Sequence, residues 1–445
     1  MSSFKEDNTD KGAVKESVIR KMTRLAQEHG AVNLSQGFPN EAPPYNVRLA
    51  LAHAVLTGRP QEEIPDGKDD KRSNSLLRSL SSISDTSSVD NIPIHPTSNG
   101  DDVLNQYSPP FGRGDVLSAI AAYYKRFYDF DVLEDNITVT LGATEALASA
   151  LRSLGKPGDK AVVFEPFHEL YPSQCKLFYL ECDFVTLKAN PNNQTWNFDP
   201  VELENALKDA KILLLNTPHN PTGKIFTRQE LKLIVDLCLK YQVYIVTDEI
   251  YEHMCYSDDN DHILIPQAFP EIRDQCLVCN SLGKSASATG WRLGWCIHPA
   301  HISSTYRGIH DQLAVMSPHP MQYATLTYLS LPDEYFKSEL KTRYKSRVET
   351  LAATLKELGF GVLLPEGAYY LFVNYRIIPA LSSLEPMEAA LYMLKEIGVA
   401  CVPGDNFYGK AIQEQGSQYL RFAACRSESD IQEACERLKQ HLSNN

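Results

Sequence analysis

Between residues 137 and 297 the chain returns repeatedly to short, continuously apolar runs. They cover 137–141, 161–164, 184–187, 211–215, 244–247 and 276–282, and 294–297 adds a seventh. A strand with one wet face alternates apolar and polar residues, whereas a strand covered on both faces is apolar throughout. Stretches with helical spacing separate the runs. The clearest begins at Thr227, where Glu230 completes a Thr-x-x-Glu capping box and Leu231, Ile234, Val235 and Cys238 share one side. The pattern predicts an α/β domain: a mostly parallel seven-stranded sheet with helices on both faces and a ligand site at the carboxyl ends of its strands.

After about residue 319 the pattern changes. A long helical stretch, 332–358, precedes short strands at 361–364 and 369–374. A helix over 386–398, strands at 399–402 and 419–423, and a final helix from 429 follow. This predicts a smaller α+β domain. Near the start, residues 1–12 are polar. Residues 17–29 read as a helix, with Val18, Met22 and Leu25 on one side and Gly30 as its stop.

Composition narrows the function classes. With 445 residues, 43% of them hydrophobic, the chain can bury a large core and form two or three domains. A net charge of −13 without a basic stripe argues against a nucleic-acid partner. The N-terminus has no apolar signal core and no run approaches the roughly 18 apolar residues of a membrane span, so no membrane partner is expected. Ten cysteines are scattered, and the lone Cys276-x-x-Cys279 falls inside an expected strand. These read as core thiols rather than a metal site, in a reducing cytoplasm.

Reactive residue types gather where the expected strands end. Lys284 sits in Asn280-Ser-Leu-Gly-Lys-Ser-Ala-Ser-Ala-Thr-Gly-Trp-Arg-Leu-Gly294, a small-residue turn after an apolar run, and Arg292 follows it. A lysine that attacks an aldehyde needs a close backbone and a lowered pKa, and an arginine fork suits a phosphate. Leu141-Gly-Ala-Thr-Glu-Ala146 joins a strand to a helix, so free N–H groups at Ala143 and Thr144 could hold an anion. Asp248 ends another strand, Tyr251 follows three residues later, and Asn220 lies in the tight loop Asn216-Thr-Pro-His-Asn-Pro-Thr-Gly-Lys224. Taken singly, each has an ordinary alternative: a surface cation, a structural acid, a packed aromatic, a turn former.

In this order, these motifs resemble the class I aminotransferases that bind pyridoxal 5′-phosphate, known as fold type I. The nearest likeness is to the kynurenine and glutamine transaminase branch, which includes cysteine-conjugate β-lyases. The resemblance runs from about Ser17 to the C-terminus. It implies that Lys284 carries the cofactor as an imine and moves a proton, and that Asp248 faces the pyridine nitrogen. Asn220 and Tyr251 would donate to the ring oxygen. Ala143, Thr144, Ser281 and Arg292 would hold the phosphate, joined by Tyr107 from the other subunit of a homodimer with composite sites. Gly37, in Gln-Gly-Phe-Pro39, would lie beside the substrate carboxylate, and Arg421, in Tyr-Leu-Arg-Phe-Ala423, would bind it. His168 stands where the family has an aromatic over the cofactor, and imidazole can stack there too.

The implied division is an N-terminal arm that joins the small domain (1–58), a serine- and aspartate-rich insertion foreign to the family (59–101), a large cofactor domain (102–319) and a small C-terminal domain (320–445). The insertion reads as a surface loop, with a lid over the site as the alternative, and Leu76, Leu77, Leu80 and Ile83 are spaced for one short helix. The implied activity is transfer of an amino group from an L-amino acid to a 2-oxo acid. The alternative on the same scaffold is a lyase that eliminates a β or γ group, or a ring-forming enzyme.

Overall fold

The computed structural model describes residues 16–60, 102–190, 192, 194–256 and 262–443. The polar stretch 1–12, nearly all of the serine-rich segment and the short helix expected within it lie outside the described residues.

Seven strands form one sheet: β1 (Ile137–Thr140), β2 (Lys160–Glu165), β3 (Glu181–Thr186), β4 (Ala210–Asn216), β5 (Tyr244–Asp248), β6 (Cys276–Ser281) and β7 (Gly294–Ile297). Their order is β1-β7-β6-β5-β4-β2-β3. Only β7 runs against its neighbours. The continuous apolar runs follow from this layering. Ala161, Val163, Ile212, Leu214, Val246 and Leu277 pack into one core with Leu147 and Leu151 of the helix Gly142–Leu154. Val162, Phe164, Leu213, Leu215, Ile245 and Val278, which alternate with them, pack into the other, with Leu231, Ile234 and Val235 of the helix Arg228–Tyr241. Residues facing both ways are therefore apolar. The capping box at Thr227 and Glu230 is present.

The carboxyl ends of β2, β4, β5 and β6 share one edge, carrying Glu165, Asn216, Asp248 and Ser281. The helix Gly142–Leu154 starts at the same edge, after β1.

A second, three-stranded antiparallel sheet joins Tyr370–Asn374, Tyr419–Ala423 and Val402–Pro403. Two expectations change here. Residues 361–364 form no strand: Gly361 makes a single bridge to Asn374, and Leu364 is half exposed, ahead of Pro365. The run 399–402 divides at Cys401. Val399–Ala400 pairs with Val32–Asn33, which draws the N-terminal segment in, while Val402–Pro403 pairs with Tyr419–Ala423. The long helix over 332–358 begins with a wide turn, Tyr335–Glu339, before the α-helix Leu340–Glu357.

The N-terminal helix Val18–His29 is capped by Ser17, whose hydroxyl accepts from the Arg20 N–H, and is stopped by Gly30 at φ +61°. The helix His319–Leu329 packs on Tyr45–Thr57 and Gly114–Tyr128. Among the described residues no helix is long and apolar enough to cross a membrane.

Candidate active site

A cavity of 710 Å³ opens at the carboxyl edge of the sheet. Ala143, Thr144, His168, Asp248, Ser281, Lys284 and Arg292 line it, together with the start of the N-terminal helix. Lys284 lies on a single helical turn, Leu282–Ser285, within the expected small-residue turn. Ser281 caps that turn by accepting from the Gly283 N–H at 3.1 Å. The Lys284 Nζ donates to the Gly37 carbonyl. Burial lowers its pKa to about 8. Cys425 and Asp248 oppose the shift, while Arg292 and Arg421 add to it. A fraction of free amine is thus present at neutral pH, as a nucleophilic lysine requires.

Asp248 ends β5 and is buried. Its Oδ2 accepts from the Tyr171 hydroxyl at 2.7 Å, and its Oδ1 has no partner among the described residues. Burial raises the carboxyl to about 6, against the Tyr171 hydrogen bond, the nearby Ile250 backbone N–H and the Lys284 charge. Asn216, at the end of β4, donates to the Asp248 carbonyl at 2.9 Å and accepts from the Asn220 N–H at 2.7 Å. It thereby fixes the loop that carries Asn220.

The Asn220 side chain is divided in the same way. Its Oδ1 accepts from Arg421 Nη1 at 3.1 Å, and its buried Nδ2 has no partner. Arg421 is 1% exposed. Its guanidinium donates to the Ser35 carbonyl at 2.6 Å, lies over the rings of Tyr370 and Phe407, and keeps a buried, unanswered Nε. Among the described residues no carboxylate pairs with it. A buried cation without a counter-ion is costly, so the arrangement fits an incoming anion. Tyr251 is buried and hydrogen-bonds through its hydroxyl to that of Tyr370 at 2.8 Å. Gly37 fits between these parts because it lacks a side chain: a Cβ there would lie 1.9 Å from the Tyr370 oxygen.

The cradle at the start of Gly142–Leu154 has no side-chain cap, since the N-cap residue is Leu141. Gly142 takes φ +75°, and a Cβ on it would meet Arg292 Nη2 at 2.9 Å. Arg292 Nη2 donates to Thr144 Oγ1 at 3.3 Å. Open N–H groups, a hydroxyl and a guanidinium thus converge as an anion site. The Ser281 hydroxyl borders it but donates to the Leu293 carbonyl at 2.7 Å. His168 flanks the cavity. Its Nδ1 accepts from the Leu170 N–H, and burial, with Arg421 and Lys284 nearby, lowers it to about 3. The ring is therefore neutral. One expected residue stands apart: Tyr107 is 81% exposed and does not line the cavity.

Sequence reasoning missed Tyr171, Tyr370 and Asn216. Tyr171 follows the expected site residue His168 by three positions, and Asn216 opens the loop that carries Asn220. Tyr370 had no local signal beyond its strand.

Two unanswered atoms test the expected cofactor, Asp248 Oδ1 and Asn220 Nδ2. An acceptor for a ring N–H, a donor for a ring oxygen, an anion cradle and an amine fit pyridoxal 5′-phosphate.

Comparison with known proteins agrees. Residues 96–438 match the family model described as aminotransferase class I and II. The "Probable kynurenine--oxoglutarate transaminase BNA3" of Saccharomyces cerevisiae is 31% identical over 76% of this chain and 80% of its own. The methionine aminotransferase of Escherichia coli is 28% identical over 95% of each. The structure of N-succinyldiaminopimelate aminotransferase from Mycobacterium tuberculosis superposes with a TM-score of 0.81 and 26% identity, covering 96% of this chain and all of that one.

Proposed function

The chain belongs to the class I and II aminotransferase family, and from that premise we propose that it uses pyridoxal 5′-phosphate to move the amino group of an L-amino acid to a 2-oxo acid. When bound, the cofactor supplies an aldehyde that exchanges amines and a protonated ring that draws electrons from the substrate Cα. The observation that carries the reading is the bare, buried Asp248 Oδ1 in one cavity with the Lys284 amine.

Asp248 Oδ1 would keep the ring nitrogen protonated, and Tyr171 holds that carboxylate ionised and aimed. Asn220 Nδ2 and the Tyr251 hydroxyl would donate to the ring oxygen, and the neutral His168 would offer a flat surface to the ring. The turn at Ala143 and Thr144 and the Arg292 guanidinium would hold the phosphate, and Ser281 would join them by turning its hydroxyl away from the Leu293 carbonyl. Tyr107, exposed in the single chain, reaches the same phosphate in a second subunit of a homodimer. Arg421 receives the substrate α-carboxylate beside Gly37, which sets the Cα–H bond toward Lys284. Lys284 Nζ then takes that proton and returns it; with a pKa near 8, roughly a tenth of the amine is free at pH 7. Residues 102–319 serve as the cofactor domain and 320–445 as the small domain, joined by an arm over 1–58. We place the enzyme in the cytoplasm. The names of the relatives make kynurenine and methionine the first amino donors to test.

The test is spectral. Purified protein given pyridoxal 5′-phosphate should gain a visible band that moves with pH, and Lys284→Ala should lose it. Amino donors should bleach the band and 2-oxo acids restore it. A protein that stays colourless overturns the reading. Release of ammonia and pyruvate without an acceptor would mark a lyase instead.

A further inference from the structure

The turn that opens toward the phosphate is held from behind by a carboxylate that the proposed mechanism does not use. Glu145 lies in the first turn of Gly142–Leu154 and is buried. Its Oε2 accepts from the Leu141 N–H at 3.0 Å, and its Oε1 accepts from the Ser149 hydroxyl at 2.6 Å. The Leu141 N–H is thereby withdrawn from any ligand, and the turn is set so that later N–H groups face outward. A carboxylate here also has a cost, because it places a negative charge behind an anion site.

His310, fully buried on the helix Ser303–Ala314, meets that charge. Its Nδ1 lies 3.1 Å from Glu145 Oε1, and its Nε2 lies 2.9 Å from the Pro110 carbonyl. Both neighbours accept hydrogen bonds. A neutral imidazole has one N–H, so two acceptors call for the imidazolium. The surroundings agree. Burial alone would lower its pKa, but the Glu145 hydrogen bond and charge, the Pro110 carbonyl and Asp311 outweigh it and raise it above 6.5. From the segment before Gly114, the Phe111 ring also packs on His310, and Arg113 turns away to Asp115 and His319. Arg307, on the same helix, donates to the Ile137 carbonyl.

We propose that Glu145 and His310 form a charge-balanced clamp that sets the phosphate-binding turn, with His310 a positioning residue that cancels the Glu145 charge and ties the turn to the segment carrying Tyr107. The proposal rests on the aminotransferase reading and goes beyond it. With His310 protonated, the turn presents N–H groups and little net charge. With His310 neutral, Glu145 repels a bound dianion.

The affinity ratio for pyridoxal 5′-phosphate over pyridoxal, measured by absorbance across the pH range in which the protein stays folded, isolates the phosphate, because Lys284 acts on both. In the wild type the ratio should fall as pH rises. In His310→Gln it should start roughly tenfold lower and stay flat, as expected for one uncancelled charge at short range. Glu145→Gln in the His310→Gln background should recover most of the loss, whereas two merely structural contacts would worsen together. Equal ratios and equal pH dependence in wild type and His310→Gln overturn the clamp alone. A wild type that binds neither compound overturns the aminotransferase reading, and the clamp with it.

Discussion

Tyr171 and Asp248 divide one carboxylate into two tasks. The phenol donates to Oδ2 at 2.7 Å across 77 residues of sequence, and Oδ1, equally buried, is left without a partner. The first oxygen fixes the orientation of the group and the second stays available to a ligand. The same division recurs at Asn220, where Arg421 occupies Oδ1 and Nδ2 is bare. A buried polar atom without a partner is rare in folded proteins, because it forfeits its hydration. Two in one site, each anchored through its other atom, mark positions reserved for a ligand.

Tyr171→Phe removes the donor and should move the acid limb of activity. Burial already holds the Asp248 carboxyl at about 6, and the phenol pulls it down. Without that hydrogen bond the carboxyl climbs further, so its ionised form is lost at a higher pH. A hydrogen bond to a charged group is worth about 1.5–3 kcal/mol, which converts to a shift of about one to two pH units. The lower limb of the kcat/KM profile should rise by that amount. An unmoved limb would remove Asp248 as the group that titrates.

Arg421→Lys should weaken substrate binding far more than cofactor binding. A lysine keeps the charge but loses the planar fork, and with it the bond to Asn220 and the packing between Tyr370 and Phe407. We expect KM for the amino acid to rise on the order of a hundredfold, consistent with a loss of about 2–3 kcal/mol at a charged contact. Cofactor uptake, followed by visible absorbance, should change little. A variant with unaltered KM would place the carboxylate elsewhere.

Gly37→Ala should cost stability and not activity alone. The added carbon would fall 1.9 Å from the Tyr370 oxygen and 2.7 Å from its ring. Tyr370 is buried and held by Tyr251. Overpacking of this kind costs about 1–3 kcal/mol. The denaturant midpoint should fall accordingly, and Tyr370→Phe in the same chain should return part of the loss by removing the nearest atom. No change in midpoint would mean that the loop moves aside freely.

Most of the sheet and several site residues were legible because their signals are local. Asp248 and Asn220 lie at or just after strand ends, and Lys284 follows an apolar run by two residues, so a short motif carries both the element and its chemistry. What stayed hidden depends on partners far along the chain. Nothing near Tyr171 points to Asp248, and Glu145 and His310 are 165 residues apart. The strand run at 399–402 was visible, but its division between two sheets was not. An apolar run specifies burial and not the partner that provides it, and here two neighbouring pairs of residues find different partners.

Tyr107 is a large aromatic that does not line the cavity of its own chain. Its ring is 81% exposed and lies off the cavity, an unusual place for a large aromatic. If it completes the site of a second subunit, two dead variants should rescue each other. In a mixed dimer of Lys284→Ala and Tyr107→Ala chains, one site receives both substitutions and the other receives neither. Random reassortment makes about half of the dimers mixed, each with one intact site of two, so about a quarter of the wild-type activity should return. The Tyr107→Ala protein must first be shown to be weak on its own, by its cofactor affinity and its rate. Activity that never exceeds the sum of the two separate preparations, despite demonstrated exchange of subunits, would mean that each chain builds its site alone.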